Sequence, residues 1–282
     1  MDKIKDVERF FSEELDSFYI KEEIKSFVLL LLSHLRGYER KDIIINEDDL
    51  LSKEEIFYLK DALLRLKESE PIQYIIGYTE FYEFKIFTDK RALIPRPETE
   101  EMVSLILSEN QDVGSILDIG TGSGCIPISL KKNLPNAKVV AWDISEDALA
   151  LANKNADYNK VDIKFEKVDV LSAETSNEKY DVIVSNPPYV TPIDKELMQK
   201  NVLEYEPHLA LFVEMDNPLI FYKKIAVLGS KMLNDKGNLY FEINENYGNE
   251  TLQLLREIGY TSLKVIKDLS GRDRMVRATW MY

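Results

Sequence analysis

"LDIGTGSGC", residues 117–125, decides the fold. Three glycines, Gly120, Gly122 and Gly124, close the apolar run "SILDI" (115–119) and open a helix read from Ser123 to about Asn133. Glycine lets the chain turn sharply and lets a ligand approach where a side chain would clash. The dinucleotide fingerprint carries its third glycine one residue later, so this turn is close to that pattern without matching it. Outward from the turn the texture repeats. "KVVAWD" (138–143) reads as a strand and 146–158 as a helix. "IKFEKVD" (163–169), "YDVIVS" (180–185) and "GNLYFEI" (237–243) read as further strands. A helix near 249–258, "SLKVIKD" (262–268) and a strand near 275–280 complete the series. Strands alternating with helices predict an α/β fold built on a mostly parallel, doubly wound sheet.

Upstream, Val7, Phe10, Phe11, Leu15 and Phe18, then Ile24, Phe27, Val28, Leu31, Leu32 and Leu35, recur at helical spacing. A further helix is predicted over 53–67, with Ser52 as its cap and Glu55 three residues on. This small bundle carries no chemistry of its own and reads as a packing or docking domain. Over 74–94, aromatic and β-branched residues alternate with polar ones, as in a strand pair or hairpin. Pro97 is placed to begin a helix, with Glu98, Glu100 and Glu101 at the positive end of its dipole. The expected division is a helical bundle over 1–72, a hairpin linker over 73–96 and the sheet domain over 97–282.

The chain of 282 residues, 45% apolar, is long enough for such a division and ordinary in composition. Its longest apolar run, "FVLLLL" (27–32), is far short of the roughly 20 residues of a membrane span. The charged start "MDKIKDVERF" carries no signal pattern, and the single cysteine, Cys125, suits a reducing compartment. A cytoplasmic location and a monomer are expected. The net charge of −14 is spread, with −6 over residues 1–70 and −8 over the other 212. Neither part is a basic module of the kind that tracks phosphates, which disfavours nucleic acid as the partner.

Two acids stand at successive strand ends. Asp143 is placed to accept from both ribose hydroxyls, and Asp169 from an adenine amine. With the glycines they outline an adenosine site, compatible at this step with NAD or S-adenosylmethionine. The next strand ends in "SNPPYV" (185–190). Pro187 and Pro188 remove two donors and fix two backbone angles, and they hold Asn186 extended. The Asn186 carboxamide oxygen and the Pro187 carbonyl are then two acceptors on a stiff turn, with Tyr189 able to cover a planar group. A planar NH2 fits that arrangement, and a methyl transfer uses it where a hydride transfer does not.

"SNPPY" after "LDIGTGSGC" resembles the S-adenosylmethionine-dependent methyltransferases that act on planar NH2 groups. "GYTEFYEFKIFTDKRALIPRPETE" (77–100), "EYEPHLAL" (204–211) and "DLSGRDRMV" (268–276) are similar to segments of the HemK-type release factor glutamine methyltransferases. The likeness runs from about Pro71 to the C-terminus. It implies a Rossmann-like S-adenosylmethionine methyltransferase domain, a hairpin linker and a bundle that recognises peptide chain release factors. The implied reaction methylates the side-chain amide of the glutamine in their Gly-Gly-Gln loop. Carried over by motif, Asp118, Gly120, Thr121, Gly122, Ser123, Gly124 and Asp143 hold the cofactor, with Asp169, Val170 and Asn186 beside it. Val170 stands where the family often has an aromatic ring. Asn186, Pro187, Pro188 and Tyr189 hold the glutamine, Asn186, Pro187 and Tyr189 being the catalytic set, and Phe81 walls the pocket. Pro127 departs from the usual small residue.

The rival activities are methylation of adenine in nucleic acid, which shares the platform, and of a glutamine in a ribosomal protein. Cys125 reads as a small buried apolar group. His34 and His208 lack the spacing of a zinc site, and Glu47, Asp48 and Asp49 lack that of a calcium loop, so no metal is expected. Arg96 fits either an internal salt bridge or a ligand carboxylate.

Overall fold

The computed structural model of the protein describes residues 1–196, 198–214 and 216–282. The chain forms two units, Met1–Gly77 with Lys200–Tyr205, and Tyr78–Gln199 with Glu206–Tyr282. In the first, α1 (Ile4–Leu15), α2 (Lys21–Arg36), α3 (Arg40–Ile45), α4 (Lys53–Lys67) and α5 (Ile72–Ile76) bury Val7, Phe11, Leu31, Leu59 and Leu66. Ser52 caps α4 as its pattern predicts. The Glu55 N–H donates to Ser52 Oγ at 3.1 Å and the Ser52 N–H donates to Glu55 Oε2 at 2.7 Å. The Arg36 guanidinium bonds the same carboxylate and holds its pKa down at about 2.

Residues 74–76 correct the extended reading of this stretch. They lie in α5, because Ile72 and Ile75, three apart, both enter the bundle core, and Gly77 ends the turn at φ +86°. The hairpin itself is shorter, β1 (Tyr78–Phe81) paired with β2 (Phe84–Phe87).

The second unit continues with α6 (Pro97–Glu109), β3 (Ser115–Ile119), α7 (Cys125–Asn133), β4 (Lys138–Asp143), α8 (Glu146–Asn159), β5 (Lys164–Lys167) and β6 (Tyr180–Ser185). Short helices α9 (Pro192–Lys195), α10 (Lys200–Tyr205, part of the first unit) and α11 (His208–Leu211) follow. Then come α12 (Ile220–Met232), β7 (Leu233–Glu242), α13 (Gly248–Ile258), β8 (Thr261–Lys267) and β9 (Asp273–Thr279). α12 and α3 have no counterpart in the sequence reading. α7 begins two residues later than read, because Gly124 caps it at φ +80°. Pro127 is therefore its third residue, where a missing N–H costs nothing.

The sheet runs β5-β4-β3-β6-β7-β9-β8, parallel from β5 to β7 and antiparallel at β9 and β8. Alternate residues face opposite layers. Ile116, Val139, Val182 and Val184 pack with α6 and α7, while Leu117, Val140, Ile183 and Phe241 pack with α12 and α13. Strand order reverses direction between β3 and β6. Ligands in such sheets bind outside the carboxyl ends of the strands at that switch point. No helix among the described residues is long and apolar enough to cross a membrane.

Candidate active site

The turn after β3 is held from several sides. The Gly120 and Thr121 N–H groups both donate to the Trp142 carbonyl, at 2.8 and 2.9 Å. The Gly122 N–H donates to Asp143 Oδ2 at 2.8 Å, and Asn155 Nδ2 donates to the Ser123 carbonyl at 2.8 Å. Gly120 and Gly122 sit at φ +79° and +54°, and a Cβ on either would meet no protein atom closer than 3.8 Å. The space it would fill is the cleft. Gly124 serves packing instead, since a Cβ there would come within 3.1 Å of the Ala152 Cβ.

Asp118 is fully buried, and neither of its oxygens has a hydrogen-bond partner; the Thr121 hydroxyl is likewise unpartnered. Burial pushes the Asp118 pKa up to about 7, with the neighbouring Thr121 hydroxyl opposing and the Asp143 charge adding to it. Asp143 ends β4 with both oxygens engaged. Oδ2 takes the Gly122 N–H, and Oδ1 takes the Ser145 N–H at 2.9 Å. Burial raises its pKa against those backbone donors. The cap of α8 is Ser145, whose Oγ accepts from the Ala148 N–H at 3.2 Å, so Asp143 is not needed for that task. Asp169 and Val170 follow β5, Asp169 accepting from the Leu171 N–H at 3.0 Å.

Gly120, Thr121, Gly122, Ser123, Asp143, Asp169, Val170, Asn186, Pro187 and Pro188 line one cavity of about 230 Å³. Four strand ends and the segment Arg91–Arg96 thus converge on a single space. Four residues named from sequence do not line it. Asp118 and Gly124 lie behind the turn as described. Phe81 is 1% exposed, packed in the core cluster that holds Ile86, Met102 and Val103. The Tyr189 hydroxyl donates to Glu242 Oε1 at 3.1 Å, and its pKa is raised by burial and by that carboxylate. Arg96 forms the internal salt bridge, to the buried Glu206, whose other oxygen accepts from the Ile94 N–H at 3.0 Å. Cys125 is buried and its thiol is pushed up to about 12, the condition of an inert side chain.

Sequence reading passed over Thr99 and Glu242. Thr99 is 3% and Glu242 1% exposed, and the Thr99 hydroxyl donates to Glu242 Oε2 at 2.6 Å. A carboxylate inside the otherwise apolar "LYFEI" was the available signal, since acids are almost never fully buried unless paired.

Strand order, the glycine turn, the acids at and beyond the strand ends and the Asn186–Tyr189 platform together fit a methyltransferase. Residues 99–209 match the methyltransferase small domain family and residues 8–77 the PrmC N-terminal domain. A methyltransferase structure from Pyrococcus furiosus shares the fold, with a TM-score of 0.52 at 19% identity over 71% of this chain and 90% of that one. A release factor glutamine methyltransferase of Flavobacterium psychrophilum is 46% identical over 98% of this chain and 99% of its own length. Its counterpart in Bacteroides thetaiotaomicron is 47% identical over 95% and 97%. The chain belongs to the release factor glutamine methyltransferase family.

Proposed function

We propose that this protein transfers a methyl group from S-adenosylmethionine to the side-chain amide nitrogen of the glutamine in the Gly-Gly-Gln loop of peptide chain release factors, in the cytoplasm. The observation that carries the reading is the convergence of Asn186 and Pro187 with the glycine turn and Asp143 on one cavity. The residues fit the cofactor on the structure's own terms. Asp118 and Thr121 have buried polar atoms without protein partners, and the turn leaves open the space a Cβ would take. Thr121 would face its charged end, with the Asp118 carboxylate behind the turn acting through its charge, Asp143 would face the ribose hydroxyls, and Asp169 and Val170 the adenine. When bound, S-adenosylmethionine supplies an electrophilic methyl group on a sulfonium sulfur.

The chain's own task is to make an amide nitrogen, a poor nucleophile, attack. Asn186 Oδ1 and the Pro187 carbonyl accept its two N–H groups and fix its plane. Both bonds strengthen as positive charge grows on nitrogen, so they favour the transition state over the ground state. Pro187 and Pro188 keep the acceptors from relaxing, so positioning is built in before the acceptor arrives. The helical bundle, residues 1–72 as read from sequence, serves recognition of the release factor. Phe57 and Leu64, seven apart on one face of α4 and 75% and 62% exposed, support a docking role. Labelled methyl transfer to intact release factor, with DNA and ribosomal protein offered in parallel and peptide mapping of the product, tests the reading. Label on a residue other than the Gly-Gly-Gln glutamine, or on DNA, defeats it.

A further inference from the structure

Glu242 is a fully buried carboxylate that the reaction itself does not call on. It ends β7, and each of its oxygens is engaged by a side chain that leads to the acceptor platform. Oε1 receives the Tyr189 hydroxyl at 3.1 Å, and Oε2 receives the Thr99 hydroxyl at 2.6 Å. Thr99 in turn lies 3.4 Å from Asn186 Nδ2. One carboxylate is thereby tied to both polar side chains of the Asn-Pro-Pro-Tyr stretch.

A threonine hydroxyl carries one hydrogen. At 2.6 Å from a carboxylate oxygen, the short range of O–H bonds to an anion, that hydrogen belongs to Glu242. Thr99 Oγ1 can then only accept from its other neighbour. Of the two orientations of the Asn186 amide, one sends an NH2 toward Thr99. The other brings two oxygens together with no hydrogen between them. The contact is long for a hydrogen bond, and its weight lies in that discrimination. With the NH2 committed to Thr99, Oδ1 is turned to the opposite side of the amide and is left free to accept. A carboxamide is otherwise an ambiguous device, since either end can be presented to a ligand.

We propose that Glu242 and Thr99 are positioning residues that set the orientation of the Asn186 carboxamide, so that its carbonyl oxygen is presented to the acceptor amide. The proposal rests on reading that acceptor as an amide nitrogen. It gives the threonine of the "IPRPETE" stretch a task distinct from helix formation. It also explains why an acid is kept in the core at the end of a central strand, where an apolar residue would be the cheaper choice.

Two measurements decide it. Neutron diffraction of the cofactor-free protein reads the hydrogens directly. A deuteron on Thr99 pointing to Glu242, with the deuterated Nδ2 of Asn186 toward Thr99, is expected; the reversed amide overturns the relay whatever the acceptor proves to be. Single-turnover methyl transfer to intact release factor reads its consequence. Thr99→Val should lower the rate by roughly tenfold, a modest share of what a lost preorganised partner costs. Cofactor affinity should stay within about twofold and Thr99→Ser should restore the rate, because Ser keeps the hydroxyl. Wild-type rate in Thr99→Val, or Ser failing as Val does, overturns the positioning role. A wild-type protein that leaves the release factor unmethylated defeats the proposed function instead, and the neutron result still decides the relay.

Discussion

Replacing Asp118 with Asn should make the ligand-free protein more stable at alkaline pH and a worse binder of cofactor. The carboxyl goes from the ordinary 3.8 to about 7 on folding, because it is buried and the Thr121 hydroxyl offsets only part of that penalty. Between those values the folded state holds a proton that the unfolded chain has released. Stability therefore falls as pH rises from about 4 to about 7 and levels off above. A rise of that size sets a ceiling of ~4 kcal/mol on that loss. Asparagine is neutral throughout, and its unpartnered buried amide costs about 1–3 kcal/mol at every pH. The variant should thus match or fall below wild type at pH 4 and exceed it by ~1–3 kcal/mol at pH 8. For a domain of this size that is roughly 2–4 °C in Tm per kcal/mol. Calorimetry or urea unfolding at pH 4, 6 and 8 without ligand gives the comparison. Saturating S-adenosylmethionine should then narrow or reverse the order, since the wild type gains more from binding. Wild-type and variant curves that run parallel from pH 4 to 8 would refute the reasoning, for they would show that Asp118 carries no burial penalty.

Asp143→Ala should weaken S-adenosylmethionine binding by about 1.5–3 kcal/mol, the worth of hydrogen bonds to a charged group. Part of the loss comes through the Gly122 N–H, which forfeits its acceptor; unchanged affinity on calorimetric titration would remove the ribose assignment. Asn186→Ala should lower single-turnover methyl transfer by roughly 10²-fold while cofactor affinity holds, as expected for a partner used in the transition state. Wild-type turnover there would mean the platform is misread. Asn155→Leu strips the bonds to the Phe87 N–H and carbonyl and to the Ser123 carbonyl and should cost about 2–4 kcal/mol, measured by denaturant unfolding. A change below about 0.5 kcal/mol would show the hairpin and glycine turn to be held by other means. The double variant Phe57→Ser, Leu64→Ser should reduce kcat/KM on intact release factor, with stability within about 0.5 kcal/mol and activity on a short Gly-Gly-Gln peptide unchanged. Equal activity on both substrates would end the docking role of α4.

The sheet and its cavity-lining edge were legible because their signals are local. Val139–Ala141 and Val182–Val184 are continuous apolar runs, as strands buried on both faces require. Glycines at alternate positions after a strand leave few alternatives to a tight turn. The helices were less legible where tertiary packing decides. Tyr74–Ile76 have the composition of a strand, yet Ile72 and Ile75 gain more by entering the bundle core. Phe81 shows a different limit, for a motif names a residue without saying on which side of its strand the pocket lies. The Thr99–Glu242 contact joins positions 143 apart in the chain, and nothing in either neighbourhood names the other. Its one trace was the acid in "LYFEI", visible as an anomaly and mute about its partner.

Asp118 and Glu242 make the same unfavourable choice, a carboxylate fully buried near the carboxyl end of a strand, and their partners separate what each is for. Burial raises the pKa of both. Glu242 is compensated from within the chain by two hydroxyls, so its oxygens set geometry whether or not a ligand is bound. Asp118 is offset only in part, by the neighbouring Thr121 hydroxyl, so its burial penalty stands in the ligand-free protein. A core that left both unsatisfied would forfeit stability twice, whereas one that satisfied both would have nothing left to offer a cation. Neutral substitution should accordingly act in opposite senses. At Asp118 it relieves a penalty and removes affinity; at Glu242 it removes an acceptor that two hydroxyls already use and loosens the platform they hold. The difference follows from hydrogen-bond satisfaction rather than from depth, which the two carboxylates share.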